Sequence, residues 1–281
     1  MTNVSERAAL VALDRGPGQH PDAQPDEVMT IAASRLLEDG KVLFAGIGQP
    51  LVAAGIAQRR QAPHLTVLLE GGMIGVDLLP GEVPASTNEV RAAVGAHMLT
   101  GATDIFLMAQ RGFFDYGLIG VAQVDRHGNV NTSLVGDPAK PTVRLPGPGG
   151  ANDIASMCNQ VVIVTQHETR RFVKKVDFVT SPGFLDGGTA RHDSGLLHGG
   201  PQWVVTDLAL LDFEPESRAM RLRELQAGVT LEQVTEATGF ELLVAEDLGR
   251  QDPVTDEELA VLRDLVHGAA HGETGEPGDE Q

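Results

Sequence analysis

The chain has 281 residues, 42% of them apolar, and sets 21 Lys plus Arg against 39 Asp plus Glu, for a formal charge of −18. So acidic a surface repels phosphates, which argues against nucleic acid or an anionic membrane as partner. The length allows one large α/β domain or two small ones.

The charge is uneven: from Ala245 to Gln281 there are 11 acids and 2 bases, so half of the net charge lies in that stretch. The single cysteine, Cys158, can form neither an intramolecular disulfide nor a Cys–Cys metal site, and no metal is expected. The first residues lack the basic and apolar regions of a signal peptide, and no apolar run approaches the roughly 18 residues that span a bilayer. The expectation is a cytoplasmic protein.

In chain order, residues 1–24 read as a mobile arm, because Gly16-Pro17-Gly18-Gln19-His20-Pro21 has no hydrophobic period. Pro25, Asp26 and Glu27 suit a helix first turn, Val28, Ile31, Ala32 and Leu36 recur at helical spacing, and Gly40 fits the position after the last turn. A short strand over 42–45 leads into the turn Gly46-Ile47-Gly48-Gln49-Pro50 and an alanine-rich helix over 51–59. Pro63 ends that segment, and 65–69 is a continuous apolar strand of the kind found in parallel sheets covered on both faces. Strand, helix, strand makes a βαβ unit.

Further on, 118–124 and 130–135 flank Asp125-Arg126-His127-Gly128, which reads as a hairpin. A helix is expected over 154–158, and buried strands over 161–165 and 203–206. Thr230 with Gln233, and Thr255 with Glu258, are capping boxes. The first opens a helix stopping at Gly239; the second opens one that aligns Leu259, Leu262, Leu265 and Val266. Residues 268–281 read as a disordered acidic tail, and 25–267 as one domain. The fold class is α/β, an open, mostly parallel sheet with helices on both faces.

Three features could carry chemistry. Glu70 directly follows the apolar strand and precedes Gly71-Gly72. Ligands of open α/β sheets bind beyond the carboxyl ends of strands, so Glu70 is either a nucleophile or general base there, or an acid that caps the next turn. The run Leu145-Pro-Gly-Pro-Gly149-Gly150-Ala151-Asn152-Asp153 offers backbone amides ahead of a helix, suited to a phosphate or a developing oxyanion, or to a plain turn. Gly46 and Gly48 stand where a dinucleotide fingerprint would, but G-x-G-x-P is not G-x-G-x-x-G, which disfavours a nicotinamide site. Third, His167-Glu168-Thr-Arg170-Arg171-Phe-Val-Lys174-Lys175 gathers four bases, either a positive patch for a phosphate or an acidic partner, or a solvated helix face. His97 and His127 read as structural and Cys158 as a small buried apolar residue.

The turn Gly46-Ile-Gly48-Gln-Pro50, then Leu69-Glu70-Gly-Gly72, then Gly120-Val-Ala-Gln-Val-Asp125-Arg-His-Gly128-Asn-Val-Asn131, then Arg144-Leu-Pro-Gly-Pro-Gly-Gly150-Ala-Asn152, and finally Gln166-His-Glu-Thr-Arg-Arg-Phe172 with Val179-Thr-Ser-Pro-Gly183 occur in that order. The set resembles the beta subunit of the glutaconate and 3-oxoadipate type of CoA-transferase, over roughly residues 25–265. The resemblance implies the CoA-transferase fold and a Glu70 that attacks an acyl-CoA thioester and then carries coenzyme A as a glutamyl thioester. It implies oxyanion donors among the amides around Gly149 and Gly150, with Gly46 and Gly48 lining the same cleft. It also implies no permanently bound cofactor, coenzyme A and short dicarboxylic or oxo-dicarboxylic acids as substrates, and a separate CoA-transferase alpha chain without which this chain is incompetent. Relatives carry Ser-Glu-Asn-Gly or Glu-Ser-Gly at the nucleophile, so Gly71 implies a lost hydroxyl contact and vacant space. A thioester hydrolase, decarboxylase or ring-opening relative, and a non-catalytic ligand-binding subunit, remain alternatives.

Overall fold

The computed structural model describes residues 18–196 and 198–268. The expectations for 1–17 and for 269–281 lie outside the described residues. Residues 18–24 run against the end of the chain: Gln19 Oε1 accepts from the Val254 amide at 2.7 Å, His20 Nε2 lies 3.0 Å from Asp256 Oδ1, and Arg263 donates to the Asp22 carbonyl at 2.8 Å.

Helix α1 (Pro25–Arg35) starts where the proline and acids indicate, with Glu27 accepting the Gln24 amide at 2.8 Å. It stops at Arg35, and Gly40 instead forms the turn, at φ 70°, that leads into β1 (Val42–Ala45). Helix α2 (Gln49–Arg59) and β2 (Thr66–Leu69) complete the βαβ unit, with β1 and β2 paired in parallel. Two-residue strands β3 (Met73–Ile74) and β4 (Met98–Leu99) follow, separated by an irregular stretch with one 3-10 turn.

Next come α3 (Ala102–Gln110), β5 (Tyr116–Gly120), β6 (Gln123–Asp125), β7 (Val130–Asn131), β8 (Leu134–Asp137), β9 (Lys140–Arg144), α4 (Ala151–Met157) and β10 (Gln160–Val164). The chain continues through β11 (Phe172–Val173), α5 (Ala190–Asp193), β12 (Pro201–Val205), β13 (Ala209–Phe213) and β14 (Met220–Leu225). It closes with α6 (Leu231–Glu236), β15 (Leu243–Arg250) and α7 (Asp256–His267). Both capping boxes form: Thr230 accepts from the Gln233 amide, and Thr255 from the Glu258 amide.

The main sheet has ten strands in the order β15-β14-β13-β12-β10-β5-β1-β2-β3-β4. Its centre, β12 to β2, is parallel throughout, and antiparallel pairs flank it on both sides. The hairpin is present as β6 and β7, pairing Val124 with Val130, but it is shorter than the hydrophobic runs suggest and sits in a separate three-stranded sheet with β11. Asp125 holds its turn by accepting from the amides of His127 and Asn129. One core packs α1, α2 and α7 on one face of the main sheet through Met29, Ile31, Leu51, Ile56 and Leu265. The second packs α3, α4 and α6 on the other through Ile105, Ile154 and Val234.

One feature of this topology makes a crevice. Strand β1 sends its crossover to β2 on one side, yet pairs with β5 on the other, with Phe44 beside Leu68 and Ala45 beside Leu118. The connections at the carboxyl ends of β1 and its neighbours diverge at this reversal of strand order and leave a gap.

Candidate active site

Val67, Leu68 and Leu69 are fully buried between the two cores, so β2 cannot turn away until it leaves the sheet. Glu70 is the first residue beyond that edge and is half-buried. It borders a cavity of about 320 Å³ whose walls include Ala45 and Gly46 after β1, Ile119 and Gly120 at the end of β5, and the loop Pro148-Gly149-Gly150. The apolar strand thus delivers a carboxylate to the crevice at the strand ends, as the sequence suggests.

Two elements grip that carboxylate. Thr87 Oγ1 donates to Glu70 Oε1 at 2.8 Å. From the opposite wall Gly150 approaches so closely that a Cβ built there would fall on Glu70 Oε2. Gly150 has φ −80° and ψ −1°, an ordinary conformation, so a side chain there would displace the Glu70 carboxylate and not strain the backbone.

The glycine loop is tied at each end. The amides of Leu145 and Gly147 donate to the carbonyls of Ser133 and Thr132 at 3.0 and 2.8 Å, and the Ala151 amide closes a turn onto Pro148 at 2.8 Å. Asn152 fastens the start of α4 by donating to the Thr180 carbonyl at 2.8 Å. Among the described residues, no acceptor pairs with the amides of Gly149 and Gly150. Two N–H groups therefore border the cavity beside Glu70 with their hydrogen-bonding capacity unspent, and an oxyanion would satisfy them.

The four glycines expected to share the cleft divide. Gly46, Gly149 and Gly150 line the cavity with Glu70, whereas Gly48 is not among its lining residues. Gly48 heads α2 at φ 78°, where its carbonyl accepts from the Val52 amide. The Gly46 amide donates to the Leu118 carbonyl at 3.0 Å, so Gly46 offers the cavity a bare surface and not a donor.

The space expected beside the carboxylate at Gly71 is occupied. A Cβ at Gly71 would come within 2.5 Å of the Thr87 carbonyl and 2.7 Å of Asn88 Oδ1. The missing side chain is what lets residues 85–88 reach Glu70, and Thr87 supplies a hydroxyl contact. That loop is shaped by its own polar groups. Glu89 accepts the Ala85 amide at 2.6 Å and pairs with Arg91, which holds its carboxyl below the usual range. Thr87 carries no motif in the sequence; its one local signal is the small polar run Ser86-Thr87-Asn88 after Pro84.

The basic segment after β10 lies elsewhere and is no helix face: it forms a turn and β11. Glu168 pairs with Arg170 and Arg171 at 2.5 and 3.3 Å, while Lys174 and Lys175 border a different hollow of about 650 Å³. That hollow is larger but contains no residue of the Glu70 site. His167 is buried, stacked on Phe172 at 4.0 Å between ring centroids, and its two ring nitrogens meet the hydroxyls of Thr206 and Thr238 at 3.0 Å each. Burial lowers its pKa to about 3, so it adds no charge at neutral pH. His127 is buried with Nδ1 2.9 Å from the Arg218 carbonyl, and Cys158 is fully buried, its thiol pushed up by burial. Among the described residues no group of three or more His, Cys, Asp or Glu gathers to hold a metal, and no helix is long and apolar enough to cross a membrane.

Residues 27–237 match the family model described as coenzyme A transferase. The chain is 40% identical over 253 residues to the B subunit of 3-oxoadipate CoA-transferase of Pseudomonas knackmussii, covering 89% of this chain and 96% of that one. It is 35% identical to the B subunit of glutaconate CoA-transferase of Acidaminococcus fermentans, covering 81% and 86%. Its fold superimposes on the crystal structure of glutaconate coenzyme A-transferase from Acidaminococcus fermentans with a TM-score of 0.81, at 30% identity, over 88% of this chain and 95% of that chain.

Proposed function

The chain belongs to the coenzyme A transferase family, and on that footing we propose that it is the beta subunit of a two-chain enzyme that moves coenzyme A between carboxylic acids through a thioester on Glu70. The observation that carries this reading is the Glu70 carboxylate, placed at the carboxyl end of β2 in the strand-end cavity that Gly149 and Gly150 also line. Similarity to the 3-oxoadipate and glutaconate enzymes supports a short dicarboxylic or oxo-dicarboxylic acid as acceptor and a CoA-transferase alpha chain as partner. No resident cofactor is needed for this chemistry, in which coenzyme A is substrate, and the site of action is the cytoplasm.

The reaction divides one transfer into exchanges at carbonyl carbon. A Glu70 oxygen attacks the thioester carbonyl of the donor, the C–S bond breaks, and coenzyme A departs as a thiolate, leaving a mixed anhydride. The thiolate attacks Glu70 Cδ, the donor acid leaves as its carboxylate, and the enzyme retains coenzyme A as a thioester. The acceptor carboxylate then attacks that thioester, and the same steps run backwards. Each addition places a negative charge on a former carbonyl oxygen. The amides of Gly149 and Gly150 are the donors for that charge on the substrate side, and Gly46, without a side chain, lets the acyl group approach the ends of β1 and β5.

Intact-mass spectrometry of the chain, co-expressed with its alpha chain and incubated with an acyl-CoA, tests the proposal. The expected result is a gain of the mass of coenzyme A on this chain, absent in Glu70→Gln. Free coenzyme A released without any adduct would instead favour a hydrolase, and neither adduct nor release from a complex that binds acyl-CoA would point to a non-catalytic subunit.

A further inference from the structure

We propose that Thr87 is the oxyanion donor for the glutamyl half of the reaction and fixes which Glu70 oxygen attacks; this rests on the reading of Glu70 as nucleophile. The two oxygens of Glu70 are not equivalent. Oε1 accepts the Thr87 hydroxyl at 2.8 Å, whereas Oε2 lies against the Cα of Gly150, on the wall that carries the two amides with no acceptor. A lone pair already engaged by a donor is the poorer nucleophile, so Oε2 is the oxygen that attacks the thioester.

Once Oε2 has bonded to the acyl carbon it is the bridging oxygen of the anhydride, and Oε1 is the carbonyl oxygen of the glutamyl group. When the thiolate adds to Cδ, the C–S bond forms and the π electrons move onto Oε1, where the Thr87 hydroxyl already stands. The Cδ–Oε2 bond then breaks, its electron pair leaves with the product carboxylate, and Oε1 reverts to a carbonyl. Thr87 keeps its proton throughout. The donor precedes the charge it stabilises and needs no rearrangement at the moment of reaction.

The site is built for this contact. Gly71 has no Cβ, and one there would collide with the Thr87 carbonyl and with Asn88, so the loop reaches Glu70 only past a glycine. The internal hydrogen bonds from Ala85 and Asn88 to Glu89 and Ser86 then hold the loop at that distance.

The test is the rate of coenzyme A adduct formation in the two-chain complex, followed by rapid quench and intact mass, for wild type, Thr87→Val and Thr87→Ser. Removing one oxyanion donor costs on the order of 10²-fold, so Thr87→Val should slow the adduct about that much with KM for acyl-CoA little changed, and Thr87→Ser should restore most of the rate. Equal rates in wild type and Thr87→Val would overturn this inference while leaving Glu70 as nucleophile. So would a Thr87→Ser variant as slow as Thr87→Val, since packing and not the hydroxyl would then be what matters. A wild-type complex that turns over without ever gaining coenzyme A would overturn the Glu70 reading itself.

Discussion

Gly150 and Glu70, far apart in the chain, meet with no room between them: the space a Cβ would occupy on Gly150 is already taken by Glu70 Oε2. A carboxylate placed by a β-strand and a glycine placed by the start of a helix define one reaction volume. The glycine leaves the carboxylate in place, while its own φ of −80° is open to any residue.

Gly150→Ala separates geometry from folding for that reason. The backbone accepts alanine, so the thermal midpoint should move by only a few degrees, about 1 kcal/mol or less. The methyl group displaces the carboxylate, and misplacement of a reacting group by about 1 Å costs on the order of 10²-fold in rate. Steady-state assays and thermal melts of the two-chain complex check both halves; a variant with wild-type turnover would show that Oε2 does not work from this position.

Glu258 predicts an acid limb of stability. It is buried in the first turn of α7, and takes Arg35 at 2.7 Å and Arg60 at 2.6 Å. Burial alone would raise its pKa, but hydrogen bonds from Arg35 and the Thr255 amide, with the charge of Arg35 and a further bond from Arg60, bring it down to about 2. With a folded value below the ordinary carboxylate range, its contribution is complete above about pH 4.5 and is lost as pH falls toward 2. Glu258→Ala removes the carboxylate that Arg35 and Arg60 share and should cost about 3 kcal/mol at pH 7. The wild-type advantage should shrink below about pH 4, as read by urea unfolding.

His167 gives a second pH signature at higher pH. Its folded pKa of about 3 lies below the ordinary histidine value of 6.5, so the unfolded chain binds a proton that the folded chain refuses. Stability is therefore full above about pH 6.5 and falls as the solution is acidified, by up to about 1.4 kcal/mol per pH unit from this one group. His167→Asn keeps one polar group between Thr206 and Thr238 and lacks the titration. Between about pH 6 and about pH 4.5 its unfolding free energy should decline less steeply than that of wild type, by about one proton. Parallel slopes for the two proteins would show that His167 takes up a proton in the folded state.

The elements legible in advance are those whose cause is local. A capping box needs only residues three apart, and both boxes open helices where Thr230 and Thr255 stand. The run ending at Leu69 is apolar at every position because β2 is covered on both faces, and Glu70 is conspicuous because it breaks that run at the sheet edge. The glycine loop before α4 is readable for the same reason. Of the two readings of the basic segment, the helix face fails because Glu168, Arg170 and Arg171 pair within a turn while Phe172 is drawn into the second sheet beside Val124. Gly48 is two residues from Gly46 in sequence, but one turn of backbone takes it out of the cavity to the head of α2.

Thr87 lies beyond what can be read from the chain. It sits between β3 and β4, two-residue strands with too few positions to show a period, in a stretch governed by hydrogen bonds among its own residues. Its importance comes from a contact to a carboxylate on another element, and a contact has no signature in either partner alone. Periodicity, capping and residue order are properties of short segments, so the residues alone carry the βαβ start, the fold class, the family and the carboxylate placed where β2 ends. The surroundings of that carboxylate come from packing. The distance from Thr87 to Oε1, the absence of room at Gly150 and the spent amide of Gly46 are fixed by how separate elements pack around the reversal of strand order at β1.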